Sequence, residues 1–122
     1  MLFKKKKSVS SEPIPTFEMS VPYSDRYQGY KRIKLDTYKD PEADKGIQWF
    51  KAAAKVDQIT FREYLFPDTP PLIRVYGDGH KIGTIWSSSW EEYYGLIKAG
   101  RAQKASVGFA GLGDLFLFVK FD

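Results

Sequence analysis

The chain has 122 residues, 43% hydrophobic and 16% aromatic, which suits one domain with a modest core and excludes a disordered protein. It has no cysteine, which excludes disulfides and thiolate metal sites and fits a reducing, cytoplasmic compartment. The formal net charge is +4, but Lys4 to Lys7 alone supply four positive charges, and residues 8–122 balance 15 basic against 15 acidic side chains.

Residues 1–16 read as a disordered basic tail and linker: a lysine run, then "SVSSEPIPT", rich in Ser and Pro. No apolar segment follows the lysines, so they are not a secretory signal. No apolar run reaches the roughly 18 residues of a membrane span, so no membrane partner is expected. A single domain is expected over residues 17–122. "FEMSV" alternates apolar and polar and reads as a strand, and "YSDRYQGY" reads as a loop. In "YKRIKLDTY", Tyr30, Arg32 and Lys34 share one face and Lys31, Ile33 and Leu35 the other, the pattern of a half-buried strand.

Residues 41–55 stay open between two states. Asp40 suits an N-cap, Pro41 the first helical position, and Ala43, Ile47, Phe50 and Ala54 keep helical spacing. Gly46 and the β-prone "IQWF" favour a strand instead. "QITFREYLF" reads as a strand and "PDTPP" as a loop, because proline cannot donate to a ladder.

"LIRVY" and "KIGTIW" flank "GDGH". Three nearby glycines and a lysine suggest a phosphate loop, but such a loop needs a helix N-terminus directly after it. Here a strand follows, so Asp78 and Gly79 are expected at the centre of a tight hairpin turn. His80, the only histidine, is expected as an exposed turn residue.

"SSSWEEYYGLIKAG" predicts a helix over about 88–99. Ser88 and Ser89 each precede a glutamate by three residues, a capping-box pattern. Trp90, Tyr93, Tyr94 and Ile97 form the buried stripe, and Gly100 ends it. "QKASVGF" and "LFLFVKF" close the chain as strands around a turn at "GFAGLG". Five or six strands with one firm helix predict a mainly β protein, a small OB-like or SH3-like partly open barrel.

Catalysis is not expected. A Ser/His/Asp arrangement could draw only on His80, and no G-x-S-x-G elbow is present. Asp36, Asp40, Glu42 and Asp44 are interleaved with Lys39 and Lys45, so they read as a solvated loop and not as a metal site. No cofactor is expected. The feature that points to a ligand is the basic group Arg26, Lys31, Arg32 and Lys34 in a chain with eight Tyr, nine Phe and three Trp. Positive grooves with aromatic stacking surfaces hold single-stranded nucleic acid.

"YSDRYQGYKRIKLDTYKDPEADKGIQW", "GHKIGTIW" and "GLIKAGRAQKASVGF", in that order, resemble the HIRAN domain over roughly residues 20–121. Arg26-Tyr27 match its first-loop Arg-Tyr. Asp40-Pro41, Asp44 and Ile47 match its acidic loop D-P-x-x-x-D-x-x-A-I-x-V approximately. Gly79, Ile82, Gly83 and Ile85 match its G-x-x-[IV]-G strand, and Trp90 to Gly100 its helix. Two departures stand out. Ala43 replaces the aromatic that precedes the loop aspartate, and Ser87 and Ser88 replace a lysine. About 25 residues also intervene between Phe50 and Val75; alternatively "PDTPPLIRV" is the acidic-loop element and residues 40–66 are inserted.

The resemblance implies an OB-like barrel that recognises single-stranded DNA, in some members its 3′ end, within helicase or nuclease proteins. Carried over, Arg26 pairs with a phosphate, Tyr27 stacks on a base, and Asp44 accepts a hydrogen bond from a terminal hydroxyl. Phe116 is a further stacking surface, and Lys31 and Arg32 complete the basic patch. The competing class is a protein-interaction or assembly module of phage or mobile-element type that binds no nucleic acid. A contiguous basic and aromatic surface would favour the first; an apolar patch larger than a few hundred Å² would favour the second.

Overall fold

A computed structural model describes residues 13–110 and 113–122; Lys4 to Lys7 lie outside the described residues. The protein is mainly β. Seven strands and two helices follow one another, where five or six strands were expected: β1 (Phe17–Pro22), β2 (Lys31–Lys34), α1 (Pro41–Ala52), β3 (Gln58–Tyr64), β4 (Leu72–Gly77), β5 (His80–Trp86), α2 (Glu91–Lys98), β6 (Ala102–Ala110) and β7 (Asp114–Phe121).

The strands form two antiparallel sheets, ordered β1-β3-β4-β5 and β2-β7-β6. The edges of the two sheets touch at two points. Asp36, beyond the end of β2, pairs antiparallel with Thr84 of β5, and Tyr23, beyond β1, bridges Ala105 of β6. The result is a small, partly open barrel. Its inside is apolar because successive strand residues point to opposite faces. Ile33, Ile59, Phe61, Ile73, Val75, Leu117 and Val119 turn inward and are fully buried.

The helical alternative for 41–55 is the one adopted. The Asp40 carboxylate accepts a hydrogen bond from the Ala43 amide at 3.1 Å and Pro41 occupies the first turn. Buried Lys81 of β5 ties this end to the sheet, its ammonium 3.1 Å from both Asp40 and Glu42. Gly46, which locally speaks for a strand, is what lets the helix pack. It is buried against β5, and a Cβ there would stand 1.8 Å from the Lys81 carbonyl oxygen.

The second helix is shorter than its sequence pattern. Ser89 and Trp90 amides both bond to the Trp86 carbonyl, which makes a separate turn of Ser87 to Ser89. Trp90 becomes the N-cap and no side chain caps the helix, so the expected capping box of Ser88 and Ser89 does not form. The C-terminus behaves as expected: Gly100 donates to the Ile97 carbonyl and Arg101 to that of Leu96, a Schellman closure.

The "GDGH" segment is a hairpin turn. Asp78 and Gly79 both have positive φ, 47° and 88°. The Asp78 carboxylate also accepts the amides of Asp57 and Gln58, and so caps the start of β3.

One acid is buried at the α2 end. Glu63 accepts hydrogen bonds from Thr16 at 2.9 Å, Tyr94 at 2.7 Å and Lys98 at 2.8 Å. Thr16, assigned to the linker on sequence grounds, is thus bonded to β3. Burial pulls the Glu63 carboxyl upward, but the bonds from Lys98, Tyr94 and Thr16 together outweigh it and hold the group below its ordinary 4.5. Burial and the bond to Glu63 push the Tyr94 hydroxyl far up, so it remains a donor.

Three outcomes follow for stability. Gly46→Ala should destabilise the fold by at least about 1–3 kcal/mol in urea unfolding, as overpacking does. Gly95→Ala, in α2 with open space around it, should instead stabilise by about 0.5–1 kcal/mol. For Glu63, a depressed folded pKa gives stability that is present above the unfolded value and lost as pH falls through the lower, folded one. Melting temperature should therefore drop below about pH 4.5, and Glu63→Gln should lower the plateau and flatten that drop.

Candidate nucleic-acid interface

The three-stranded sheet turns Ile33, Leu117 and Val119 inward, so the intervening residues face solvent. Pairing sets Arg32 opposite Phe118 and Lys34 opposite Phe116; Ser106 and Gly108 of β6 complete the two rows. On this outer face the Arg32 guanidinium lies 4.8 Å from the centre of the Phe116 ring. The Tyr27 ring stacks on Phe118, centres 4.3 Å apart and planes 22° apart. Tyr27 is 46% exposed, so the stack presents an open aromatic surface.

Local chemistry explains the placement. The loop before β2 is pinned by Ser24, whose hydroxyl donates to the Arg26 carbonyl at 2.8 Å and accepts from the Arg26 amide at 3.2 Å. That holds Arg26 exposed beside Tyr27. Gly108 provides the room under the stack: a Cβ there would come within 2.8 Å of the Phe118 ring. Ser106, opposite Phe118, is buried and its hydroxyl has no hydrogen-bond partner among the described residues.

Of the residues singled out from sequence, Tyr27, Arg32 and Phe116 are brought to one face, with Arg26 at its margin. Lys31 is exposed but follows the opposite alternation, facing Val119 across the ladder. Asp44 is elsewhere. The expected acidic loop is the first turn of α1, and that helix packs on β5 of the other sheet. Asp44 borders a small hollow of about 240 Å³ with Lys45, Ile47 and Gln48.

Phe118 was missed, although a signal existed. In "LFLFVKF" the residues alternating with Leu115, Leu117 and Val119 are Phe116, Phe118 and Lys120. Two phenylalanines on the side that should be polar is an unusual strand pattern. The second missed feature had no local signal. Where β2 runs out toward β5, a cleft of about 620 Å³ opens, walled by Tyr38, Trp86 and Trp90 with Lys34, Asp36 and Asp114 on its rim. Asp36 organises it, accepting from the Trp86 indole at 2.7 Å and from the Tyr38 amide at 2.9 Å. Lys34, 3.4 Å from Asp114, joins the cleft to the aromatic face.

His80 is exposed, as expected, but not isolated: its ring stacks on Trp49 of α1 at 4.0 Å. Among the described residues no cluster of three or more His, Asp or Glu could hold a metal ion. Among them, too, no helix is long and apolar enough to cross a membrane. In comparisons with known proteins, no family model, no curated protein and no solved structure matches the chain.

The stack itself can be tested without a ligand. An aromatic pair of this geometry contributes about 0.5–1.5 kcal/mol. Phe118→Ala should therefore speed amide exchange in residues 25–29 by roughly twofold to tenfold, with little change in the exchange of β3 and β4.

Proposed function

We propose that this domain is a non-catalytic, HIRAN-like module that binds single-stranded DNA across the outer face of the three-stranded sheet. The observation that carries the reading is the pairing of Tyr27 with Phe118 and of Arg32 with Phe116 on one solvent-facing surface. Unpaired bases offer free π-faces to such rings, each stack contributing about 1–3 kcal/mol, while duplex bases are already stacked on each other. Arginine adds a planar fork that matches phosphate oxygens. Arg26 and Arg32 have no carboxylate partner among the described residues, so both are available to a strand.

The cleft extends the same surface and suits the terminal nucleotide. A base fits among Tyr38, Trp86 and Trp90, Lys34 at the rim meets its phosphate, and Asp114 accepts from a terminal hydroxyl. In this arrangement Asp114, not Asp44, reads the 3′ end. The order of elements supports the family likeness: "LIRV" and "KIGTI" form the β4–β5 hairpin, followed by α2 and the last two strands. It also supports the second placement of the acidic element. After Asp44 the chain continues as helix, whereas after Asp68 a short turn leads into β4 at Leu72. Residues 40–66 are then an insertion. A helicase or nuclease is the machine such a module would serve. Of the exposed large apolar residues, Phe109 lies on β6, whereas Ile14 precedes β1 and Leu65 follows its partner strand β3.

The test is fluorescence anisotropy with a short oligonucleotide ending in a 3′-hydroxyl or a 3′-phosphate. Wild type should bind both and prefer the hydroxyl. Phe118→Ala should lose about 1–3 kcal/mol with either end, and Arg26→Ala and Arg32→Ala should also weaken both. Asp114→Asn should lose the preference and Asp44→Ala should keep it. Absence of binding at low salt would discard nucleic acid and favour the protein-interaction module.

A further inference from the structure

The outer face of the four-stranded sheet carries a second cationic arrangement. β3 and β4 pair so that Arg62 stands directly opposite Arg74. Like charges at facing positions destabilise a sheet, so each guanidinium needs compensation. Arg62 has it: its Nε lies 2.9 Å from Glu18, and its guanidinium rests 4.5 Å from the centre of the Tyr76 ring. With burial opposing, the Glu18 charge and hydrogen bond hold Arg62 protonated above its ordinary value.

Arg74 differs. Its guanidinium lies over Tyr64 at 4.6 Å and Phe66 at 5.6 Å, and among the described residues it forms no ion pair with a carboxylate. Of the two guanidinium groups, only Arg62 has a carboxylate, which leaves one positive charge uncompensated. Both are held in place by rings, Tyr64 and Tyr76 being buried. Stacking fixes the plane of each fork before any ligand arrives, which lowers the ordering cost of binding. Burial also pushes the Tyr76 hydroxyl up to about 12, so it brings no competing negative charge at neutral pH.

The position links this pair to the cleft. Arg74 is opposite Thr84 in the β4–β5 ladder, and Thr84 lines the lip of the cleft. A group bound at Arg74 would lie just past that lip. One uncompensated charge with forked donors matches a phosphodiester, which carries one negative charge on two oxygens.

We propose that Arg62 and Arg74 form an oxyanion site that grips a backbone phosphate of a single strand where it leaves the tryptophan cleft. The identity of this occupant rests on the nucleic-acid reading above; the site's affinity for phosphate does not.

Two measurements separate them. The first follows arginine side-chain Nε signals by NMR during titration with inorganic phosphate. Arg74 and Arg62 should shift together and saturate, and Arg74→Gln should abolish the response. The second measures anisotropy across salt with oligothymidylates of about four and about twelve nucleotides, the longer able to span both sheets. Arg74→Gln should weaken the longer oligonucleotide about tenfold or more, the size of a lost charged hydrogen bond. It should also reduce its salt slope by about 0.7 while leaving the shorter one unchanged. Arg74→Lys should restore the slope but not the full affinity. Thermal unfolding of both variants confirms that they fold.

An unshifted Arg74 in phosphate, with an unchanged slope in Arg74→Gln, overturns the site even if oligonucleotides bind. A saturating phosphate shift without any oligonucleotide binding overturns the strand as occupant, and with it the proposed function, while the anion site itself stands.

Discussion

The two-residue crossing at Asp36 and Thr84 decides the shape of this protein. The Asp36 amide donates to the Thr84 carbonyl at 2.9 Å and the Thr84 amide returns the bond at 3.0 Å. These two bonds join the edge of a three-stranded sheet to the edge of a four-stranded one and bend both around a shared interior. The approach is possible because Gly83 leaves space: a Cβ there would stand 2.8 Å from the Leu35 side chain. The same aspartate then spends its side chain on Trp86 and Tyr38, so the joining of the two sheet edges and the wall of the cleft come from one residue. The second seam, Tyr23 to Ala105, lies at the other edge of each sheet and is backed by the bond from the Ser24 amide to the Ala105 carbonyl.

With the sheets joined this way, the helices are left to cover the ends. α1 lies against β5 near the β4–β5 turn, where Phe50 meets Tyr23 and Phe109 edge-on or tilted. α2 covers the opposite end through Ile97 and the bonds of Tyr94 and Lys98 to Glu63. Among the described residues the barrel interior is filled by the apolar side chains of the core. What is left for recognition is the outside of the sheets and the seam between them. The outer face of the three-stranded sheet exposes Tyr27 near Arg32, and that of the four-stranded sheet sets Arg62 and Arg74 over buried rings.

Charge is distributed accordingly. Beyond the lysine run the chain is neutral overall, and neutrality by count says little about local fields. Acids concentrate where they cap or anchor: Asp40 and Glu42 on Lys81, Asp78 on the start of β3, Glu63 under α2. Arg32 and Arg74, which form no ion pair among the described residues, rest on rings, as does Arg62, which Glu18 also pairs. A guanidinium stacked on an aromatic keeps its in-plane donors free for an anion.

Much of the fold was legible in the chain because its signals are local. Alternation in "KRIKL" and "LFLFVKF" assigns inner and outer faces whatever the strands pair with, and Asp78-Gly79 demands a tight turn through backbone sterics, whereas Asp40-Pro41 offered a helix start that "IQWF" left in competition with a strand. The amino-acid sequence by itself thus determined a mainly β domain with a helix ending at Gly100, and it already held Tyr27, Arg32 and Phe116 as candidates. Three things were decided only by tertiary structure. Gly46 reads as a helix breaker until β5 is close enough that any side chain would collide with it. Ser88 and Ser89 read as caps until Trp86 takes their turn's amides. Asp36, Trp86, Trp90 and Asp114 become one cleft only when sheets far apart in sequence meet. Propensity and periodicity act between neighbours along the chain, whereas close approach, competition for a hydrogen-bond acceptor and the joining of two sheet edges depend on what arrives from a distance.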